Sequence, residues 1–241
     1  MKYLKFFGWA ALSLCAVLGG PASGKKKPKV EAPPPVAADM QVEGIVGELD
    51  DGAVQRVLQA NHGATRRCYD EQAGRLHYVG GHLELKVRVL PSGKPKWVAI
   101  IDSSLGNSEV EQCVVSTLEK LQFPAPKGGE GELTCPIDFA ARTPTGNWQK
   151  ERISSVLAKK KAALSACKGK TGTAAVKALR MTLYVGPGGT ATSAGFAADE
   201  PQDPKLAKCV ADRVLALQYD DPLGQMVKVS FPMGDLFGSN P

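Results

Sequence analysis

The cysteines are the residues of this chain with the most chemistry open to them, and there are six. Cys15 sits inside an apolar N-terminal run; the others are Cys68, Cys113, Cys135, Cys167 and Cys209. A zinc site needs Cys or His at ligand spacing, and the chain has no Cys-x-x-Cys. Its three histidines, His62, His77 and His82, have no partner cysteine or carboxylate at such a spacing and read as surface or edge residues. A nucleophile would need a base and an acid to orient it, and no such set recurs along the chain. No catalytic residue, metal or cofactor is therefore expected. Disulfide chemistry remains, and the way the cysteines are placed supports it.

They are placed twice. From Pro91 to Pro136 and from Pro187 to Pro232 the sequence aligns with itself without a gap at an offset of 96. Cys113 falls on Cys209, Leu121-Gln122-Phe123 on Leu217-Gln218-Tyr219, and Cys135-Pro136 on Phe231-Pro232. Upstream, Gly47–Cys68 matches Gly146–Cys167 at an offset of 99. A repeat this long is a duplicated domain, with the helices, hairpin and cysteine pair carried in each copy. Copy 1 is assigned to residues 44–142 and copy 2 to residues 143–236, with 237–241 as a tail. An active site rarely survives in two diverged copies, whereas a binding module often does.

The N-terminus reads as an export signal over residues 1–24. Met1-Lys2-Tyr3-Leu4-Lys5 is the charged start, Phe6–Gly20 the apolar run, and Ala22-Ser23-Gly24 the small-residue cleavage site. The run falls short of the roughly 20 apolar residues a membrane span needs, so none is expected in the mature chain. Cys15 raises lipidation, but Leu14 stands where a small residue would precede a lipidated cysteine. Residues 25–43 form a basic, proline-rich linker with Lys25-Lys26-Lys27-Pro28-Lys29 and Pro33-Pro34-Pro35. The formal net charge is +6; Lys2 and Lys5 leave with the signal and residues 25–40 account for another +2. Only +2 remains for the two copies, which argues against nucleic acid as a partner.

Each copy must position its cysteines on two helices. In copy 1, Asp50 or Asp51 can cap a helix whose inward stripe is Val54, Val57, Leu58, Asn61, Thr65 and Cys68. Copy 2 has Lys160 at the place of Asn61, in a helix expected from Ile153 to Cys167. His82–Val89 then alternates, with Leu83, Leu85, Val87 and Val89 buried and Glu84, Lys86 and Arg88 wet. Pro91-Ser92-Gly93-Lys94 turns into a partner strand, Trp97–Asp102. A second helix puts Val110, Cys113, Val114, Leu118 and Leu121 inward, and a last strand buries Leu133, Cys135 and Ile137. The expected fold is α+β: two tandem α-β-β-α-β two-layer sandwiches, each with two helices on a three-stranded antiparallel sheet. Pro136 and Pro232 place the last strand at an edge, and the first strand takes the centre.

With both cysteines of each copy on inward helix faces in an exported chain, the expected bridges are Cys68–Cys113 and Cys167–Cys209. Cys135 takes the core position of Phe231 and reads as a small buried hydrophobe. Trp97 falls on the bare face of the sheet beside Glu84, Lys86 and Arg88, where copy 2 has Ser193. It either meets a partner there, with Lys86 and Arg88, or docks the sister copy or the linker.

Three segments also resemble a known family. Arg66-Arg67-Cys68-Tyr69-Asp70, Ser104-Leu105-Gly106-Asn107-Ser108-Glu109-Val110-Glu111-Gln112-Cys113-Val114 and Phe123-Pro124-Ala125-Pro126 resemble the AgmX/PglI C-terminal domain of myxobacteria, which is similar in turn to the TonB C-terminal domain. Copy 2 keeps both cysteines and the turn but has Lys168-Gly169 for Tyr69-Asp70 and Asp203 for Asn107, so it resembles a degenerate member. The resemblance implies a periplasmic or outer-membrane-associated protein of a gliding-motility or TonB-like system, and it implies no catalytic residues. The leading expectation is a non-enzymatic scaffold that binds another envelope protein. A cell-wall protein binding peptidoglycan is the alternative, and an enzyme with its site between the copies would require polar residues converging there.

Overall fold

A computed structural model describes residues 46–167 and 173–237. The signal run with Cys15, the basic linker and the last residues of the tail lie outside them.

Copy 1 begins with a two-residue strand β1 (Val46–Gly47) and helix α1 (Asp51–Ala73). The Asp50 carboxylate accepts the Ala53 N–H at 2.7 Å, which satisfies one of the orphan donors of the first turn. Strands β2 (Gly81–Val89) and β3 (Pro95–Ser103) form the hairpin, α2 (Ser108–Leu118) follows, and β4 (Glu130–Phe139) closes the copy. The period-2 pattern of β2 has the physical consequence expected of it: Leu83, Leu85, Val87 and Val89 are fully buried beneath the helices.

The sheet order is β1-β4-β2-β3, so the sheet has four strands where three were expected. β1 adds in parallel beside β4, pairing Val46 with Glu130 and Gly47 with Gly131. Two residues are too short to show any alternation, which is why the sequence does not announce it. Pro136 lies beyond the reach of β1, so its missing N–H faces an unpaired edge.

Copy 2 has strand β5 (Gly146–Asn147), helices α3 (Glu151–Lys159), α4 (Lys161–Ser165) and α5 (Thr173–Lys177), strands β6 (Arg180–Val185) and β7 (Ala191–Ala197), helix α6 (Pro204–Leu215) and strand β8 (Val227–Pro232). Its order, β5-β8-β6-β7, is that of copy 1. The single helix expected from Ile153 to Cys167 is broken at Lys160, whose φ and ψ are −110° and 10°. An unbroken helix would have carried Lys160 along the inward stripe, and burying an unpaired ammonium costs far more than one kink. Lys160 is exposed instead.

The molecule is therefore a mixed α+β protein with two four-stranded sheets. Cys68 is bridged to Cys113 and Cys167 to Cys209, each with a Cα–Cα distance of 5.7 Å, tying the first helical segment of a copy to its second. The bridges close loops of 45 and 42 residues, worth about 4 kcal/mol apiece in the chain-entropy account. Two disulfides point to an oxidising, exported location. Among the described residues no helix is long and apolar enough to cross a membrane. Cys135 is buried in the core of copy 1, but no described cysteine is a free thiol, which corrects its reading as a simple hydrophobe. The two copies are not separate bodies: Tyr184 and Ala197 of copy 2 belong to the hydrophobic cluster of copy 1.

Candidate functional site

A sheet covered by helices on one side leaves its other face to find a partner. In copy 1 that face carries three cross-strand rows. Glu84 stands opposite Asp102, Lys86 between Ala99 and Thr134, and Arg88 between Trp97 and Glu132. The sequence thus placed Trp97, Lys86 and Arg88 correctly on one surface, and the structure brings them side by side. Arg88 is the centre of an ion-pair ladder: its guanidinium meets Glu130 at 2.9 Å and Glu132 at 3.2 Å, while Lys86 reaches Glu132 at 3.3 Å and Lys96 reaches Glu130 at 2.8 Å. Hydrogen bonds from Lys96 and Arg88 hold the Glu130 carboxyl below its ordinary range. The ladder fixes long side chains beside a partly buried indole, and so presents a rigid, patterned surface rather than loose charges. At its far end His82 approaches Asp138, Nδ1 to Oδ1 3.0 Å, a carboxylate partner that the spacing did not reveal. His62 and His77 are exposed.

The equivalent face of copy 2 is closed. The residues aligned with Lys86, Arg88, Trp97 and Glu132 are Thr182, Tyr184, Ser193 and Lys228, and they press against the β3–α2 corner and the loop before β2 of copy 1. Thr182 Oγ1 donates to the Ser103 carbonyl at 3.0 Å. Ser193 Oγ donates to the Gly106 carbonyl at 2.7 Å and accepts from Asn107 Nδ2 at 3.0 Å. The Tyr184 hydroxyl donates to the Gly80 carbonyl at 3.0 Å and accepts the Gly80 N–H at 3.2 Å, and Lys228 Nζ adds a second bond to that carbonyl at 2.7 Å. Burial pushes the Tyr184 phenol up to about 12 and the Lys228 ammonium down. At the rim, the Arg180 guanidinium donates to the Ile101 carbonyl, and the Ala198 N–H donates to the Ile100 carbonyl at 2.8 Å.

Glu111 sits at the heart of this seam and is 1 % exposed. It accepts the Ser103 hydroxyl at 2.7 Å and, from copy 2, the Phe196 backbone N–H at 2.8 Å. The carboxylate takes the place of a neighbouring strand on the outer edge of β7. Burial drives its pKa up to about 7, against the opposing pull of Ser103, Phe196, Asn107 and Gly106. Two glycines permit the approach. A Cβ at Gly195 would collide with the Glu111 carboxylate, and one at Gly106 would fall 2.8 Å from Thr182 Cγ2 and Tyr184 Cε2.

The sequence reading missed Glu111, Ser103, Asn107, Thr182, Tyr184, Ser193 and Lys228 as a set. A signal was present in the aligned copies. Where copy 1 has Lys86, Arg88 and Trp97, copy 2 has Thr182, Tyr184 and Ser193, the exchange of charge for hydrogen-bonding groups that a buried surface requires. Glu111 stands where copy 2 has Ala207, so it belongs to one copy alone.

Polar groups do converge between the copies, as an enzyme sited there would need, but each is bonded to another across the seam. A cleft of about 310 Å³ opens beside them, lined in part by Gln72, Arg75, Glu109 and Thr192. Among the described residues no group of His, Cys, Asp and Glu could hold a metal ion. No family model, no curated protein and no solved structure matches this chain.

Proposed function

We propose that the chain is a non-enzymatic, exported cell-envelope protein whose first sheet binds another envelope protein, as a scaffold module of a TonB-like or gliding-motility-type system. In this reading its halves are tandem TonB-C-like domains, the second a degenerate copy kept to support the first. One observation carries the binding role. The same sheet face occurs twice; in copy 2 it is already a protein-docking surface, and in copy 1 it presents Trp97, Lys86 and Arg88 without a docked neighbour from copy 2. Aromatic and arginine side chains are the ones that most often anchor interfaces. Strand addition is a second route to the same partner, along the Lys96–Ala99 part of β3, because copy 2 already binds the Ile100, Ile101 and Ser103 carbonyls and β7 is sealed by Glu111.

The export signal and the two disulfides support a periplasmic or outer-membrane-associated site, and the motif resemblance supports the choice of system. An enzyme between the copies is disfavoured because its polar groups are spent on one another. A peptidoglycan-binding wall protein is the remaining alternative, favoured by the basic linker of residues 25–43. The test is cross-linking of the mature chain in envelope extract, read by mass spectrometry against Trp97→Ala. Cross-links from the copy 1 face to one protein, lost in Trp97→Ala without loss of folding, support the proposal. Co-sedimentation with purified cell-wall sacculi that Trp97→Ala leaves intact would replace it with the wall-binding reading.

A further inference from the structure

Glu111 is the one carboxylate of the described chain that is fully buried, and it is buried between two units rather than within one. Its own copy supplies Ser103 from β3 and backbone N–H groups of Gly106 and Asn107 at the start of α2; copy 2 supplies the Phe196 N–H from β7 and, further off, the Tyr184 phenol from β6. None of these groups carries a charge. The charged groups on the surrounding elements are turned elsewhere. Arg75 of α1 reaches Glu109 at 3.8 Å, Lys208 of α6 meets its own Asp212 at 2.9 Å, Arg180 of β6 meets Asp199 at 3.0 Å, and Lys228 of β8 is bonded to Gly80. Among the described residues a negative charge at Glu111 thus has no counter-charge while the copies are docked, and it would recover full hydration if they parted.

We propose that Glu111 is a proton-operated latch: the copies are held together while its carboxyl is protonated, and ionisation loosens the seam and uncovers the sheet face and outer edge of copy 2. The balance of the groups fits this sense. A protonated carboxyl still accepts the Phe196 N–H with one oxygen, and the face it closes holds Thr182, Tyr184 and Ser193, all of which water can satisfy after opening. The sign follows from linkage. A carboxyl at about 7 when docked and near its ordinary value when hydrated binds more protons in the docked form, so docking is strongest below about pH 4.5 and weakens as pH rises through 7. Between pH 5 and pH 8 the docking constant should fall on the order of fiftyfold to a hundredfold. The device needs nothing from the partner of copy 1. It would let an exported chain, exposed to ambient pH, offer a second binding surface in neutral to alkaline surroundings and withdraw it in acid.

The experiment is hydrogen exchange of the Phe196 amide in the full mature chain from pH 5 to pH 8.5, corrected for the intrinsic pH dependence of exchange, together with chemical labelling of the Tyr184 phenol. Protection of Phe196 should fall by the stated factor between pH 5 and pH 8, most of it below pH 7, while Tyr184 becomes reactive, and Glu111→Gln, which keeps the shape and cannot ionise, should show a flat profile. Flat protection in the unmodified chain overturns the proposal without recourse to the variant. A Glu111→Gln chain that keeps the same pH dependence overturns it as well, because another group would then be the sensor.

Discussion

The two sheets have the same strand order and are each covered by helices on one side, yet their open faces are built on opposite principles. The face of copy 1 is held by ionised groups, with Lys86, Arg88 and Lys96 laced to Glu130 and Glu132. The face of copy 2 is held mostly by neutral hydrogen bonds to copy 1, with the Lys228 ammonium and the Arg180 guanidinium as its charged donors, and the one carboxylate it touches is pushed towards protonation. Charge pairs at a surface are weak but tolerate water, which suits a face left to solvent. Neutral hydrogen bonds in a dry seam leave little charge to desolvate, which suits a contact made within the chain while Glu111 is protonated. Duplication supplied one architecture, and the side chains on the exposed row decided whether it faced inward or outward.

The largest effect expected is in the cores that both faces share. Leu85→Asp should unfold copy 1, since Leu85 is fully buried and an unpaired carboxylate there costs several kcal/mol; circular dichroism melting will register it. Next comes exchange between the faces. Ser193→Trp forces the residue of copy 1 into the seam, where Ser193 is 4 % exposed, and should cost about 3 kcal/mol through overpacking and two lost hydrogen bonds. The reverse exchange, Trp97→Ser, should shift the melting temperature by a degree or so at most. Equal effects of the two would mean that the faces do not differ as described. Glu111→Ala, which installs the residue of copy 2, leaves the Phe196 N–H unpaired and should cost about 1–3 kcal/mol at pH 5, measured by denaturant unfolding. The smallest effect belongs to Lys86→Asp, which loses one half-exposed ion pair and adds repulsion with Glu132, a loss below about 1 kcal/mol that salt should erase.

Much of this was legible in the sequence because it follows from period and duplication. The alternation of Leu83 to Val89 announces β2 and its buried side, and the coincidence of cysteines on two inward helix faces announces both bridges. What escaped reading has a common cause. Strands β1 and β5 are two residues each, too short to have a period, and exist because β4 and β8 offer a free edge. The break at Lys160 is imposed by the cost of burying an ammonium, which outweighs the helical pattern around it. Glu111 looks like any helix-surface glutamate until copy 2 covers it, because its burial comes from a contact distant in sequence. Trp97 was placed on the open face, while the choice between a partner and the sister copy depended on which face copy 2 used. The contacts with copy 2 fall on Tyr78, Gly80 and Ile100–Glu111 and not on the Trp97 row.

The most direct test of the division between the faces is solvent footprinting of the intact mature chain at pH 6, comparing Trp97 with Tyr184. These residues occupy adjacent strands of the same cross-strand row on equivalent sheet faces, so the measurement isolates the one property on which the comparison depends. Trp97 should be modified readily and Tyr184 protected, with protection of Tyr184 lost in Ser193→Trp. Equal labelling of the two, or protection of Trp97 with Tyr184 exposed, would show that copy 2 does not use its face to dock and that copy 1 does not keep its own free.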